Sequence, residues 1–543
     1  MHRFRFIFFI GLLSFSSWSC QKSKYQSEST TERPNIIFIM TDDHAYQAIG
    51  AYGSNLMETP NIDRLAEEGM LFDQAFVSNS ICSPSRAVAL TGKFSHLNGV
   101  RDNLDVFDST QVTFPKLLQQ VGYQTAIVGK WHLKSEPTGF DYWKVLPDQG
   151  HYYDPVFRTP EGIVQEVGYI TDITTDLAIS YLDSIREKSS PFLLMYHHKA
   201  PHRQWWPSME DLGAYMDTEI PSPATLFDTY VNRGTAAKEA EMRISAHMGL
   251  SMDNKIHPDV LQQMNLDEFM AWYESSYLER YNRLDAAEKA KWDAVYGPIN
   301  ADFEENTPEG QDLTYWKYQR YMQDYLGSLK SVDRNIGRLL DYLDEQGLTD
   351  NTLVIYTSDQ GFYLGEHGWF DKRFMYEPSF RTPLIMRYPP WIAAGGVNRD
   401  LVQNIDFAPT LLQIAGAEVP ADMQGKSLLP LFETTKPEWR EALYYHYYEY
   451  PGIHMVKRHY GVRTDRYKLI HFYYDVDEWE LYDLEKDPDE LNNLYGQDGY
   501  EVIQANLHER LTQLRIQYQD TSDVQNQLWI EQDIERLKAL GWY

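Results

Sequence analysis

Four short apolar runs in this chain each end abruptly in a polar cluster. Asn35-Ile36-Ile37-Phe38-Ile39-Met40 leads into Thr41-Asp42-Asp43-His44, and Thr125-Ala126-Ile127-Val128 into Gly129-Lys130-Trp131-His132. Phe192-Leu193-Leu194-Met195-Tyr196 precedes His197-His198-Lys199-Ala200-Pro201-His202, and Leu353-Val354-Ile355-Tyr356 precedes Thr357-Ser358-Asp359-Gln360-Gly361. Apolar runs without alternation fit strands covered on both faces, as in a parallel sheet. Open α/β sheets place their sites just past the carboxyl ends of such strands.

Helical signals fall between these strands. Thr59-Pro60 opens one as cap and first-turn proline, Ile62, Leu65 and Ala66 supply an apolar face, and Gly69 closes it. Thr113 to Gln120 before Gly122 and Asp406 to Ile414 before Gly416 have the same form. The alternation predicts an α/β class with a large, mostly parallel sheet flanked by helices. From about 205 to 310 the text turns charged and helix-prone, as in Ala236 to His247 and Leu266 to Ala290, and reads as an insertion because the strand at Leu353 must rejoin the sheet. After about Glu438 it is tyrosine-rich. Leu443 to Tyr450, Tyr460 to Arg463, Tyr467 to Tyr474 and Glu480 to Tyr482 are short strand candidates, and Glu501 to Gln517 is an amphipathic helix. A small antiparallel sheet plus helix is therefore expected over 438–543, after a catalytic domain over 34–437.

Length and charge narrow the function. With 543 residues the chain exceeds one ordinary core. Its 49 basic and 79 acidic residues leave a formal charge of -30, which argues against a nucleic-acid partner. An anionic substrate would then need local cations. Residues 1–20 read as an export signal: His2, Arg3 and Arg5 precede the apolar Ile7 to Leu13, a run too short to span a bilayer. Cys20 stands where a lipoprotein signal is cut, although Ser17-Trp18-Ser19-Cys20 lacks the usual aliphatic residue, and polar 21–33 suits a flexible tether. The expectation is an exported protein, periplasmic or at the cell surface, attached to a membrane if Cys20 is lipidated, with plain export as the alternative. Only one other cysteine, Cys82, remains, so no disulfide can form and that thiol needs another fate.

Cys82 stands in Ile81-Cys82-Ser83-Pro84-Ser85-Arg86-Ala87, followed by Leu90-Thr91-Gly92-Lys93. Pro84 favours a first helical turn, which puts Cys82 and Arg86 on one face at a helix N-terminus, where a thiol's pKa is lowered. The plainer alternative is a buried cysteine beside a surface arginine. Adjacent Asp42 and Asp43 are costly unless solvated or bound to a cation; a turn or helix cap is the alternative. Asp359 and Gln360 add a carboxylate and an amide oxygen, and oxygen-only ligands suit Ca²⁺ or Mg²⁺. Lys130 and His132, one residue apart, point the same way if the segment is extended.

Cys82-Ser83-Pro84-Ser85-Arg86 resembles the signature of type I sulfatases, and the resemblance extends from Asn35 to about Leu494. Gly361 to Trp369 looks like the run found in carbohydrate sulfatases, including the iduronate and glucosamine types, and Arg463 to Lys468 with Glu480 to Asp483 resembles the family's terminal subdomain. The resemblance implies an alkaline phosphatase-like sulfatase fold. It implies that Cys82 is converted to formylglycine by a maturation enzyme, and that one divalent ion, calcium ahead of magnesium, is held by Asp42, Asp43, Asp359, Gln360 and the residue made from Cys82. It places Arg86, Lys130, His132, His202 and Lys372 around the sulfate. Gln360 departs from the asparagine or histidine common there and adds a methylene.

The expected activity is hydrolysis of sulfate esters on a carbohydrate, either algal (ulvan or carrageenan) or glycosaminoglycan. His202, or alternatively Lys372, would be the acid and His132 the base. Hydrolysis of phosphodiesters or phosphonate monoesters and non-catalytic capture of sulfated glycans are the rival expectations. For specificity the sequence offers His151, Tyr152, Arg203, Trp205, Trp206, Glu366 and His367, all near the motifs.

Overall fold

Runs of branched apolar residues do form the central strands. A computed structural model describes residues 33–433, 438–521 and 523–539. The expected signal with Cys20, the tether as far as residue 32 and the expected boundary at 437 lie outside the described residues. In chain order the strands are β1 (Asn35–Thr41), β2 (Met70–Phe72), β3 (Ala75–Phe76), β4 (Gln124–Lys130), β5 (Tyr142–Leu146), β6 (Val156–Thr159), β7 (Gly162–Gln165) and β8 (Phe192–His197). They continue with β9 (Thr352–Ser358), β10 (Leu384–Arg387), β11 (Gly396–Asn398), β12 (Val402–Gln403), β13 (Ala442–Tyr447), β14 (His459–Thr464), β15 (Tyr467–Phe472) and β16 (Glu478–Asp483).

Ten strands make one mixed sheet in the order β11-β2-β10-β9-β1-β8-β4-β5-β6-β7. Its centre is parallel: β1 pairs with β8 and β9, and β8 with β4, so Ile37 sits level with Leu194 and Val354. Both faces are covered, which explains the unbroken apolar runs. Ile37 and Ile39 share a core with Val332, Ile336, Leu339 and Leu340, while Phe38 points to the other face, its ring centroid 5.5 Å from that of Phe407. The sheet and helices form the expected α/β architecture with a largely parallel centre. Strands β13 to β16 form a second, antiparallel sheet. The helix Glu501–Gln517 buries Leu507, Leu511 and Leu514 against it.

Three helical features differ from expectation. The segment 236–247 is not one helix but two short ones, Thr235–Glu239 and Ile244–His247. The helical text does not stop near 310: Gly310–Glu345 is one helix of 36 residues, whose later turns enter the main core. A further helix, Asp523–Ala539, follows the one expected at the C-terminus. Among the described residues no helix is long and apolar enough to cross a membrane.

Two glycines hold the site edge in shape. Gly129, at the end of β4, has φ +93° and a Cβ there would meet His197 O at 1.9 Å. At Gly361 a Cβ would lie 2.2 Å from Pro378 O. Backbone passes too close for any side chain at either position.

Candidate active site

Because β9, β1, β8 and β4 are parallel neighbours, their carboxyl ends open on one edge. Asp359 and Gln360 leave β9, Asp42 and Asp43 leave β1, His202 follows β8, and Lys130 ends β4. The helix Cys82–Thr91 points its N-terminus at the same spot, Pro84 lying in its first turn. Lys372 arrives from the loop beyond β9.

Asp42, Asp43, Asp359 and Gln360 are all fully buried. One carboxylate oxygen from each of the three aspartates lies within 4.8 Å of the other two. Three like charges in low dielectric demand countercharge. Lys372 Nζ donates to Asp43 Oδ1 and Oδ2 at 2.7 and 2.8 Å, Lys130 pairs with Asp42, and Arg86 Nε and Nη2 donate to Asp359 Oδ2 at 3.0 and 2.9 Å. These cations do not neutralise the cluster evenly. Burial would raise Asp42, but Lys130, His202 and Arg86 hold it well below the usual carboxylate range. Burial pushes Asp43 up to about 6 despite Lys372, with the charge of Asp42 adding to the rise. Burial and Asp42 push Asp359 up to about 7 against Arg86.

Gln360 completes the cradle. Its Nε2 donates to Asp43, which leaves Oε1 buried without a hydrogen-bond partner among the described residues. Three clustered carboxylates, two of them held above their ordinary range despite their cations, and an orphaned amide oxygen make an all-oxygen donor set, which fits a hard divalent cation. The longer side chain at 360 therefore still reaches the cradle.

Cys82 Sγ lies 3.4 Å from Asp42 Oδ1 and 3.9 Å from Gln360 Nε2. The expectation that the helix N-terminus lowers its pKa is overturned. Burial pushes the thiol well above its ordinary value, and the carboxylates of Asp42 and Asp359 add to the rise against Lys372 and Lys130. As a thiol, Cys82 is a poor nucleophile.

Lys130 and His132 do converge, but not as alternate residues of an extended strand. β4 ends at Lys130, and His132 takes a left-handed φ of 56°. Gln149 joins the two: its Oε1 accepts from Lys130 Nζ at 2.5 Å and its Nε2 lies 3.2 Å from His132 Nε2. Burial lowers His132, and Lys130 lowers it further, so the ring is neutral and has a lone pair to offer. His202 Nδ1 donates to Arg203 O at 2.6 Å, and its Nε2 faces Asp43 Oδ2 at 3.8 Å. Burial lowers His202 as well, whereas Asp43 raises Lys372 well above its ordinary value against the opposing effect of burial.

Beside this edge opens a cavity of about 300 Å³, which His202 and Lys372 help to line. Of the residues proposed for specificity, only Arg203 lines it. Trp205 and Trp206 are core residues, Trp206 stacking on Trp292 at 4.0 Å. His367 is buried against Arg233 and Asp228, Glu366 accepts from Leu364 N and Gln47, and Tyr152 bonds His202 O. His151 stands outside beside Glu279. Nearness in sequence misled because Trp205, Trp206 and His367 turn into the core while His151 turns away from the cavity. The actual wall draws on Gln149, Lys199, Asp371, Arg373 and His454, with Asp533 and Leu537 from the last helix. Nothing local to Asp533 or Leu537 marks them in sequence, whereas Asp371 and Arg373 flank Lys372 and were within reach.

A buried oxygen cradle, a cysteine at a helix N-terminus and a cation on each carboxylate make a candidate site for hydrolysis of an anionic ester. The chain belongs to the sulfatase family: that family's model matches residues 34–417, and the N-sulphoglucosamine sulphohydrolase C-terminal model matches 365–517. It is thus a sulfuric ester hydrolase, from a family that generally depends on formylglycine and a divalent metal. An N-acetylglucosamine-6-O-sulfatase of Bacteroides thetaiotaomicron is 50% identical over 515 residues, covering 94% of this chain and 91% of the relative. A solved structure of a complex with its substrate D-glucosamine-2-N,6-O-disulfate is 51% identical with a TM-score of 0.86, over 90% of this chain and 99% of that one. The phosphonate monoester hydrolase of Agrobacterium radiobacter, at 21% identity and TM-score 0.65 over 90% of this chain and 96% of its own, shares the fold.

Proposed function

We propose that the protein removes the 6-O-sulfate from a terminal N-acetylated or N-sulfated glucosamine of a glycosaminoglycan-type glycan, using formylglycine made from Cys82. The observation that carries this reading is the position of Cys82 Sγ against Asp42 in an oxygen cradle beside one cavity of about 300 Å³, the lower end of ligand-pocket volumes. Such a space suits one sugar. The 6-O position is taken from the half-identical N-acetylglucosamine-6-O-sulfatase and favours glycosaminoglycan over ulvan or carrageenan.

Asp42, Asp43, Asp359 and Gln360 would hold calcium, which when bound withdraws charge from a sulfate oxygen. Hydrated formylglycine at position 82 supplies a hydroxyl nucleophile beside Asp42. Arg86, Lys130 and Lys372, all buried, stabilise negative charge on the transferred group. With its Nδ1–H committed to Arg203 O, His202 takes a second proton on Nε2 from solvent when an anionic ester lies beside it and gives that proton to the departing sugar oxygen, and His132, held by Gln149, takes the proton that lets sulfate leave.

The test is sulfate release from defined substrates. Glucosamine 6-sulfates should be cleaved with kcat/KM about 100-fold or more above the galactosamine epimer. Release from ulvan or carrageenan oligosaccharides, with none from glucosamine 6-sulfates, would overturn the substrate assignment. We place the protein at a membrane surface through lipidated Cys20, a reading supported by the basic and apolar segment before it. On fractionation of producing cells, activity should follow the membranes and become soluble in the Cys20→Ala variant. Soluble activity before substitution defeats lipidation.

A further inference from the structure

The cavity wall carries several cations, and nearly all have partners. Arg203 Nε and Nη2 each donate to the Asp253 carboxylate at 2.7 Å, and Lys372 is bound to Asp43. Arg373 Nε donates to Asp371 Oδ1 at 3.0 Å, and its Nη1 pairs with Glu449. Arg280 Nη1 donates to Ser276 O and Oγ at 2.8 Å, with Glu279 at 3.7 Å.

Lys199 differs. It is only 4% exposed and lines the cavity, yet its ammonium has no hydrogen-bond acceptor or ion-pair partner among the described residues. What it meets is the face of the Tyr152 ring, 4.8 Å from Nζ to the centroid. An ammonium taken from water without a carboxylate is costly, and a ring quadrupole offsets only part of that cost. Burial and the positive charge of Lys130 accordingly push Lys199 down to about 7. Asp42 and Asp43 oppose that fall, but both already have their own lysine. On the reading above Arg86, Lys130 and Lys372 serve the reacting sulfate, so a further buried cation in the cavity calls for another anion.

We infer that Lys199 binds a second anionic group of the substrate, distinct from the sulfate being removed, and so sets a preference for doubly charged sugars. The inference rests on the 6-O-sulfatase reading above. The second oxyanion has two possible sources: an N-sulfo group on the same sugar, or the carboxylate of an attached uronic acid. The small cavity favours the first.

The experiment measures kcat/KM on three substrates: N-acetylglucosamine 6-sulfate, N-sulfoglucosamine 6-sulfate, and N-acetylglucosamine 6-sulfate linked to a uronic acid. Lys199→Met should lose about 10-fold or more on one doubly charged substrate beyond its loss on the singly charged one, and Lys199→Arg should keep most of the preference. The substrate showing the extra loss names the source of the anion. Equal losses on all three would overturn the proposal and assign Lys199 to the reacting sulfate. Should Lys199→Met fail to fold, the affinities of the Cys82→Ser protein for the three ligands decide instead: indifference to the second charge overturns the proposal. No sulfate release by the unsubstituted protein from any of them would count against the 6-O-sulfatase reading itself.

Discussion

Cys82→Ser is expected to abolish turnover, lowering kcat by about four to six orders of magnitude, with the fold unchanged. The substitution is nearly isosteric, and a hydroxyl at this fully buried position has Asp42 Oδ1, 3.4 Å from the present sulfur, as a ready acceptor. Activity should nonetheless vanish, because a serine carries one hydroxyl where hydrated formylglycine carries two, and His132 would have no second proton to remove. Sulfate release and thermal melting, run on both proteins, check the two halves of the prediction. Peptide mass spectrometry on active protein should find the aldehyde at position 82. An intact thiol in fully active enzyme, or normal turnover by the serine variant, would remove Cys82 from the mechanism.

Stripping divalent metal is expected to remove activity just as completely, and Asp42→Asn to lower it by about a thousandfold or more. Here pH provides an independent readout. Asp43 and Asp359 stand at about 6 and about 7 without metal, against an ordinary 3.8. Between about pH 4 and 7 the folded chain therefore holds protons that the unfolded chain has lost, and metal-free stability falls as pH rises through that window. Asp42 works in the opposite sense below it, since its depressed pKa contributes stability above 3.8 that is lost on further acidification. Calcium bound to the ionised carboxylates should cancel the decline and raise the melting temperature by a few degrees at saturating concentration. Melting curves from pH 4 to 8, with and without chelator, would show it. Activity and melting that ignore the chelator would sink the metal assignment.

Much of the site was legible because each part carries a local signal. Asp42, Asp359 and Lys130 each end an unbroken apolar run, and such runs become adjacent parallel strands when helices cover both faces of a sheet. Cys82 was legible from Pro84 and Arg86 in the same helical turns. The 36-residue helix was harder to see: its apolar positions are crowded with tyrosines and buried charged residues such as Lys317, Arg320 and Asp324. The cations of the cavity look like ordinary surface residues in sequence, and only their burial reveals a purpose.

By itself the sequence determined the class of fold and the sulfatase family resemblance, and through that resemblance the candidate residues Cys82, Asp42, Asp43, Asp359 and Gln360, because unbroken apolar runs and a short cysteine motif are local patterns. The tertiary structure decided what depends on surroundings. Burial turned the Cys82 thiol away from reactivity and, among the described residues, left Oε1 of Gln360 without a partner and Lys199 without a carboxylate. It also took Trp205 and Trp206 out of the cavity and brought Leu537, from the far end of the chain, into its wall. Dielectric and packing are properties of everything that folds around a residue, and no local pattern of sequence encodes them.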